Sequence, residues 1–259
     1  MIDATHDTLF FGAISCRQPK NGYRFSLDSV LLAHFVQPGP SPGARLVDLA
    51  AGCGVVGLIA LYRHGGIASC LAVEAQEELA FFARENFRDN GYGDKSGVVC
   101  GDVARIRELV PAQSADLVLC NPPYYQPGRG RESKAPAARN ARHQRTPLAA
   151  FIDAAAWCLG PGGQAAFIYP AAQLARLFAA CGAARLAVKG LRLVHSYPGL
   201  AATRALLLCR KDGGAGLVAM APLYVYEQKK SRYSAELARM YMANPAMSAA
   251  AGGGPCLPN

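Results

Sequence analysis

The sequence predicts an α/β protein built on a doubly wound, mostly parallel seven-stranded sheet that closes in an antiparallel hairpin. Three observations carry this expectation. From Arg45 onward, strand-sized apolar runs alternate with longer segments of helical period. A glycine-rich turn follows the first run and leads straight into a helical pattern. The last two runs follow one another with no helix between them.

In chain order the candidate strands are Arg45 to Leu49, Cys70 to Glu74, Gly97 to Cys100, Leu117 to Cys120, Gln164 to Tyr169, Leu186 to His195 and Ala205 to Arg210. Helices are expected at Val55 to His64, Gln76 to Asn90, Leu148 to Leu159 and Ala171 to Ala180. Residues 1–44 read as an N-terminal extension whose last part, Gln37 to Gly43, is a Pro- and Gly-rich linker. Residues 45–243 form the expected domain, and 244–259, dominated by Ala, Gly, Pro and Ser, read as a flexible tail.

With 259 residues, 51% of them hydrophobic, the chain can fill one large core. It contains no run of about 18 uncharged apolar residues. Met1 to Cys16 lacks the basic-then-apolar order of an export signal, so the cytoplasm is the expected location. Nine cysteines stand singly, without paired ligand spacing, and read as small core hydrophobes; no metal is expected. A net charge of +9 becomes informative through clustering: Arg129, Arg131, Lys134, Arg139, Arg142 and Arg145 share one short stretch relieved only by Glu132.

Asp48-Leu49-Ala50-Ala51-Gly52-Cys53-Gly54-Val55-Val56-Gly57 joins the first strand to its helix. Glycines let the backbone approach a ligand, and the helix start offers free N–H donors, so a nucleotide-type ligand is expected. Read literally, Gly52 to Gly57 is G-x-G-x-x-G, which also fits a dinucleotide. Asp48 discriminates, because a carboxylate there repels a pyrophosphate and welcomes a sulfonium amino acid; this favours S-adenosylmethionine over NAD. Glu74, ending the second strand, is placed for ribose hydroxyls. Asp102 reads equally as an acceptor for the adenine amine of the cofactor or as a helix N-cap.

Asn121-Pro122-Pro123-Tyr124 follows the fourth strand at the sheet edge where such folds bind ligands. An exocyclic base amine is a poor nucleophile, since its lone pair is delocalised into the ring. Acceptors on its two protons favour the tetrahedral nitrogen of the transition state. Asn121 offers a side-chain carbonyl and Pro122 a backbone carbonyl; the prolines stiffen the turn and Tyr124 gives a surface for stacking. Neither a His nor a Cys nucleophile is required.

On these residues the chain resembles the bacterial N6-adenine methyltransferases that modify the adenine 3′ of the anticodon in a valine tRNA. More broadly it resembles the small-domain, class I (Rossmann-like) S-adenosylmethionine-dependent methyltransferases. Tyr23 to Ala33 is similar to the family's leader, in which an aspartate, here Asp28, precedes a helix entering the fold. Ala138 to Gln144 resembles its basic stretch after the catalytic loop. The resemblance implies a cofactor held by Asp48, Ala50, Gly52, Gly54, Glu74, Asp102 and Asn121, and catalysis by Asn121, Pro122 and Tyr124. It also implies an RNA substrate, tRNA by preference, bound by Asp28, Pro123, Tyr124, Arg139, Arg142 and His143. The chain departs from the family at Ala50, where glycine is common; one methyl group should alter loop packing rather than abolish binding.

Other readings are weighed on the same residues. Enzymes with related motifs methylate rRNA guanine N2, DNA adenine N6 or a release-factor glutamine. From different classes come an NAD-dependent oxidoreductase and a non-catalytic RNA-binding module. Lys229, Lys230, Arg232 and Tyr233 form a second basic and aromatic cluster, evenly split between RNA contact and solvation. Phe10, Phe11, Tyr23 and Phe25 are expected to pack against the domain or to cover the cofactor, Trp157 to lie in the core, and His195 to be structural. No residue sets an oligomeric state, and a monomer is expected.

Overall fold

A computed structural model of the chain describes residues 3–20, 25–36, 43–124 and 146–243. Strands β1 (Ala4–Leu9) and β2 (Ile14–Pro19) form an antiparallel hairpin, and α1 (Leu27–Phe35) follows, its first turn capped by the Ser26 side chain. Then β3 (Ala44–Leu49), α2 (Val55–Arg63), β4 (Ile67–Glu74), α3 (Glu77–Asp89) and β5 (Ser96–Cys100) alternate strictly. They are succeeded by α4 (Ile106–Leu109), β6 (Ala115–Cys120), α5 (Leu148–Cys158), β7 (Leu159–Pro170) and α6 (Leu174–Ala183). The antiparallel pair β8 (Leu186–His195) and β9 (Ala202–Lys211) closes the sheet, trailed by β10 (Val218–Ala219), β11 (Leu223–Tyr224) and α7 (Ala235–Met240).

All seven predicted strands are present, in the order β5-β4-β3-β6-β7-β9-β8, and the two-residue strands β10 and β11 add to the β8 edge. Pairings among β3, β4, β5, β6 and β7 are parallel, and β9 is antiparallel to both β7 and β8. Strand β7 starts earlier than predicted. Its partner register jumps from Ala115↔Leu159 to Leu117↔Gln164, so the glycine-rich segment between Leu159 and Gln164 joins the ladder as an irregularity.

The central strands are apolar on both faces, as buried parallel strands must be. On β6, Leu117 and Leu119 enter the cluster shared with α1, α2 and α3, while Val118 and Cys120 enter the one shared with α5 and α6. Seven of the eight cysteines among the described residues are buried, and all eight are free thiols. Among the described residues no helix is long and apolar enough to cross a membrane.

The N-terminal hairpin is fixed by side chains acting as a substitute strand. The outer edge of β2 presents the N–H and C=O of Ser15 and Arg17. On α3, one turn apart, Asn90 accepts from Ser15 N (2.9 Å) and donates to Ser15 O (2.7 Å), and Asn86 accepts from Arg17 N (2.7 Å) and donates to Arg17 O (3.0 Å). Asn86 also donates to the Cys53 carbonyl at 2.9 Å, tying the hairpin to the glycine-rich turn.

Asn86 is fully buried. Asn86→Ala leaves three backbone groups without their partner and is expected to lower stability by roughly 3 kcal/mol. Urea unfolding followed by circular dichroism measures this; a loss under about 1 kcal/mol would mean that the hairpin is held by its apolar contacts alone.

Candidate active site

The order of strands reverses between β3 and β6, so the carboxyl ends of these two neighbours form the crevice where doubly wound sheets bind ligands. The turn from Ala50 to Gly54 leaves β3 there. Ala50, Gly52 and Gly54 adopt positive φ of 55°, 57° and 76°. At Gly54 a Cβ atom would stand 3.1 Å from both Ala83 Cβ and Phe87 Cε2, so α3 packs directly on the turn. Ala50 occupies a left-handed conformation that suits glycine, and its methyl group strains the turn.

Two buried carboxylates hold this turn. Glu74 Oε2 accepts from Gly52 N at 2.8 Å and Oε1 from Gln76 N at 2.9 Å. Asp48 Oδ2 accepts from Gly57 N at 2.9 Å in the first turn of α2. Burial pushes the Asp48 carboxyl up to about 7, the Gly57 hydrogen bond pulling it down and the neighbouring Glu74 charge adding to the rise. With 1% of its surface exposed, Asp48 lies beneath the turn rather than in its mouth. Asp102 caps the short 3-10 turn Val103–Arg105 by accepting from Ala104 N (2.9 Å), and Thr146 Oγ1 stands 3.2 Å from both of its oxygens. Its capping role is therefore present, and a carboxylate has further lone pairs for a ligand.

Asn121 and Ala50 line one cavity, with Ser29 and Phe25 across from them on the α1 side and Ala51 and Cys53 on its floor. Asn121, just after the end of β6, thus borders the space beside the glycine-rich turn. Pro122 is buried and Pro123 exposed. Tyr124 is clamped: Arg204 donates to its hydroxyl from Nη2 at 2.7 Å, the Arg204 Cζ lies 5.0 Å from its ring centre, and Tyr169 meets the ring edge-to-face at 6.4 Å. The same guanidinium pairs through Nε with Asp28 Oδ2 at 2.9 Å. Burial draws the Arg204 pKa down, but the Asp28 and Tyr124 contacts outweigh it and hold the group above its ordinary value.

Asp28, expected from the sequence as a substrate contact, has a buried carboxylate that accepts from Arg204 Nε. Arg204 and Tyr169 escape sequence reasoning altogether. Their only signal is position, a strand end at the edge that carries the site. Arg139, Arg142 and His143, with the whole basic stretch, lie outside the described residues, as does Tyr23. Phe25 lines the cavity, whereas Phe10 is buried in a stack on Tyr62 (5.2 Å) and Phe11 is exposed. Trp157 packs against the core and donates to Val110 O at 2.8 Å; His195 Nδ1 bonds Leu200 O at 2.7 Å.

The model of the methyltransferase small domain matches residues 27–176, a span holding Asp28, the glycine-rich turn, Glu74, Asp102 and the Asn-Pro-Pro-Tyr loop. The chain belongs to the methyltransferase small-domain family. Within that family, a Shewanella protein named tRNA1(Val) (adenine(37)-N6)-methyltransferase is 32% identical over 73% of this chain and 79% of its own length. A relative of the same name from Shewanella halifaxensis is 28% identical over 74% and 76%. Among solved structures, a predicted O-methyltransferase from Agrobacterium tumefaciens is 25% identical with a TM-score of 0.66, covering 84% of this chain and 98% of that one. This similarity supports the class I fold expected of the family.

Ala50→Gly removes the strained methyl group and is expected to stabilise the chain by about 1 kcal/mol, raising Tm by roughly 2–4 °C. Calorimetry on the unliganded protein measures it; an unchanged or lower Tm would show that the methyl contacts around Ala50 compensate the strain.

Proposed function

We propose that the protein transfers a methyl group from S-adenosylmethionine to N6 of an adenine in tRNA, at position 37 beside the anticodon. The observation that carries this reading is the Asn-Pro-Pro-Tyr loop opening from β6 onto the cavity beside the glycine-rich turn, in a chain whose family relatives bear names for that reaction. The residues suit the cofactor. The glycine-rich turn lets its backbone approach an adenosyl group, Glu74 ends β4 at the same sheet edge, and Asp48 lies buried beneath the turn. When bound, S-adenosylmethionine supplies a methyl carbon made electrophilic by a positive sulfur.

This chain's own residues then align and polarise the acceptor. Asn121 Oδ1 and the Pro122 carbonyl accept hydrogen bonds from the two amine protons and favour the tetrahedral nitrogen whose lone pair attacks. As the new N–C bond formed, the S–CH3 bond would break with its electron pair left on sulfur as the neutral thioether, and the nitrogen would then shed one proton to water. Tyr124 stacks against the base, and Arg204 with Tyr169 keeps its ring from turning, which lowers the entropy lost on alignment. Asp48 works through space: a cation above the turn favours its ionised form.

Labelled S-adenosylmethionine and unmodified tRNA test the reading directly, with N6-methyladenosine the expected product. Asn121→Ala should lower the rate about a hundredfold or more. Incorporation into release-factor glutamine with none into tRNA would replace this reading with a protein substrate; NAD binding in place of S-adenosylmethionine would replace the enzyme class.

The raised Asp48 carboxyl adds a pH dependence of definite sign. Its folded value of about 7 stands above its ordinary 3.8, so its contribution to unliganded stability is complete below about pH 4 and is lost as pH rises through 7. Cofactor affinity runs oppositely, because the cation prefers the ionised carboxylate. The Kd for S-adenosylmethionine should tighten by up to roughly tenfold between about pH 6 and about pH 8, and Asp48→Asn should flatten that change. Calorimetric titration decides, and equal slopes in both proteins would exclude Asp48 as the origin.

A further inference from the structure

The chain between β11 and α7 doubles back in a tight loop, with Tyr226 and Tyr233 facing each other in an antiparallel bridge. Their rings stack at 5.4 Å, and Tyr241 stacks on Tyr233 at 5.7 Å with an interplanar angle of 10°. Such a column of three aromatic rings would ordinarily be buried. Here Tyr226 and Tyr233 are exposed to 37% and 42%, and the loop joining them carries exposed Lys229, Lys230 and Arg232. Arg232 is partly neutralised by Glu227 at 3.0 Å, which leaves the lysines as the loop's forward charge.

The column has a fixed relation to the active site. Strand β8 is antiparallel to β9, and β9 to β7, so β8 runs with β6 and its end at His195 lies on the same sheet edge as Asn121. Tyr226 N donates to Ser196 O at 2.9 Å, anchoring the column at that end. The column continues β11, one strand beyond β8, so four strand spacings, about 19 Å, separate it from β6, which a few nucleotides span. Arg204 lies between them on β9. The support is rigid: Arg192 on β8 grips Glu236 of α7 with two hydrogen bonds of 2.7 Å.

We infer that the Tyr226–Tyr233–Tyr241 column is a second binding site on the enzyme, a stacking platform for unpaired bases of the substrate RNA flanking the target adenine. Exposed rings bordered by lysines fit a nucleobase and its phosphate together, whereas an apolar protein partner would leave those charges unanswered. This inference rests on the tRNA reading above and adds to it a place where the strand is held after the adenine enters the pocket.

Binding of an unmodified tRNA transcript, measured by filter retention over a salt series, tests it alongside S-adenosylhomocysteine affinity. Tyr226→Ala is expected to weaken tRNA binding roughly five- to a hundredfold, with Tyr226→Phe restoring it because stacking needs the ring and not the hydroxyl. Lys229→Glu with Lys230→Glu, exposed changes that leave the fold alone, should lower the salt dependence by about one to two units. S-adenosylhomocysteine affinity and melting temperature report whether each variant is folded. Parent-like tRNA affinity in both variants overturns the platform while leaving the tRNA reading intact. If the parent chain itself binds no tRNA, the tRNA reading fails and the platform with it.

Discussion

Three buried hydrogen bonds hold the turn between β3 and α2 together with the first turn of α2. They come from Glu74 to Gly52 N, from Asp48 to Gly57 N and from Asn86 to the Cys53 carbonyl. Each originates on a different element: β4, β3 and α3. A turn with three residues at positive φ would otherwise sample many shapes, and a ligand would have to order it on arrival. Anchoring from three directions moves that entropy cost into folding. The arrangement also explains close packing beneath the turn, where a Cβ on Gly57 would stand 2.7 Å from Cys70 Sγ.

The opposite wall of the crevice uses charge instead of backbone. Arg204 connects Asp28 on α1 to Tyr124 after β6, so one guanidinium fixes both the helix that leads into the sheet and the aromatic ring beside Asn121. On the proposed reading methyl transfer depends on alignment, and alignment depends on side chains that have few other places to go. Arg204 suits this because its planar fork engages two partners at once, which a lysine could not reproduce. Tyr169 closes the arrangement from β7.

What the sequence reveals divides by the range of the interaction. Strands β3 to β9, the glycine-rich turn and the Asn-Pro-Pro-Tyr loop are legible because periodicity and turn chemistry are local. The acidic ends of β3 and β4 are legible too, since strand ends at that edge face ligands. The hairpin β1–β2 is not, because its register is secured by Asn86 and Asn90, about 70 residues away along the chain. Arg204 stands 80 residues from Tyr124 and reads, in sequence, as a charge ahead of an apolar strand. Asp48 and Asp28 were recognisable as important, but their burial was not: residue type gives the chemistry, and only the fold tells whether it acts by touch or through a neighbour.

Burial of Asp48 shows how such a site links stability to binding. An ionised carboxylate removed from water is costly, and one backbone N–H offsets only part of that cost, which is why the group is held near neutrality in the absence of a ligand. On the proposed reading, a cation above the turn would gain from a charge that water does not screen, and the energy withheld from folding would reappear as affinity for positively charged ligands. A dinucleotide phosphate would meet the reverse, a penalty made larger by the same low dielectric. The glycine-rich turn alone accommodates either kind of nucleotide; the proposed part of the buried acid beneath it is to favour the cationic one.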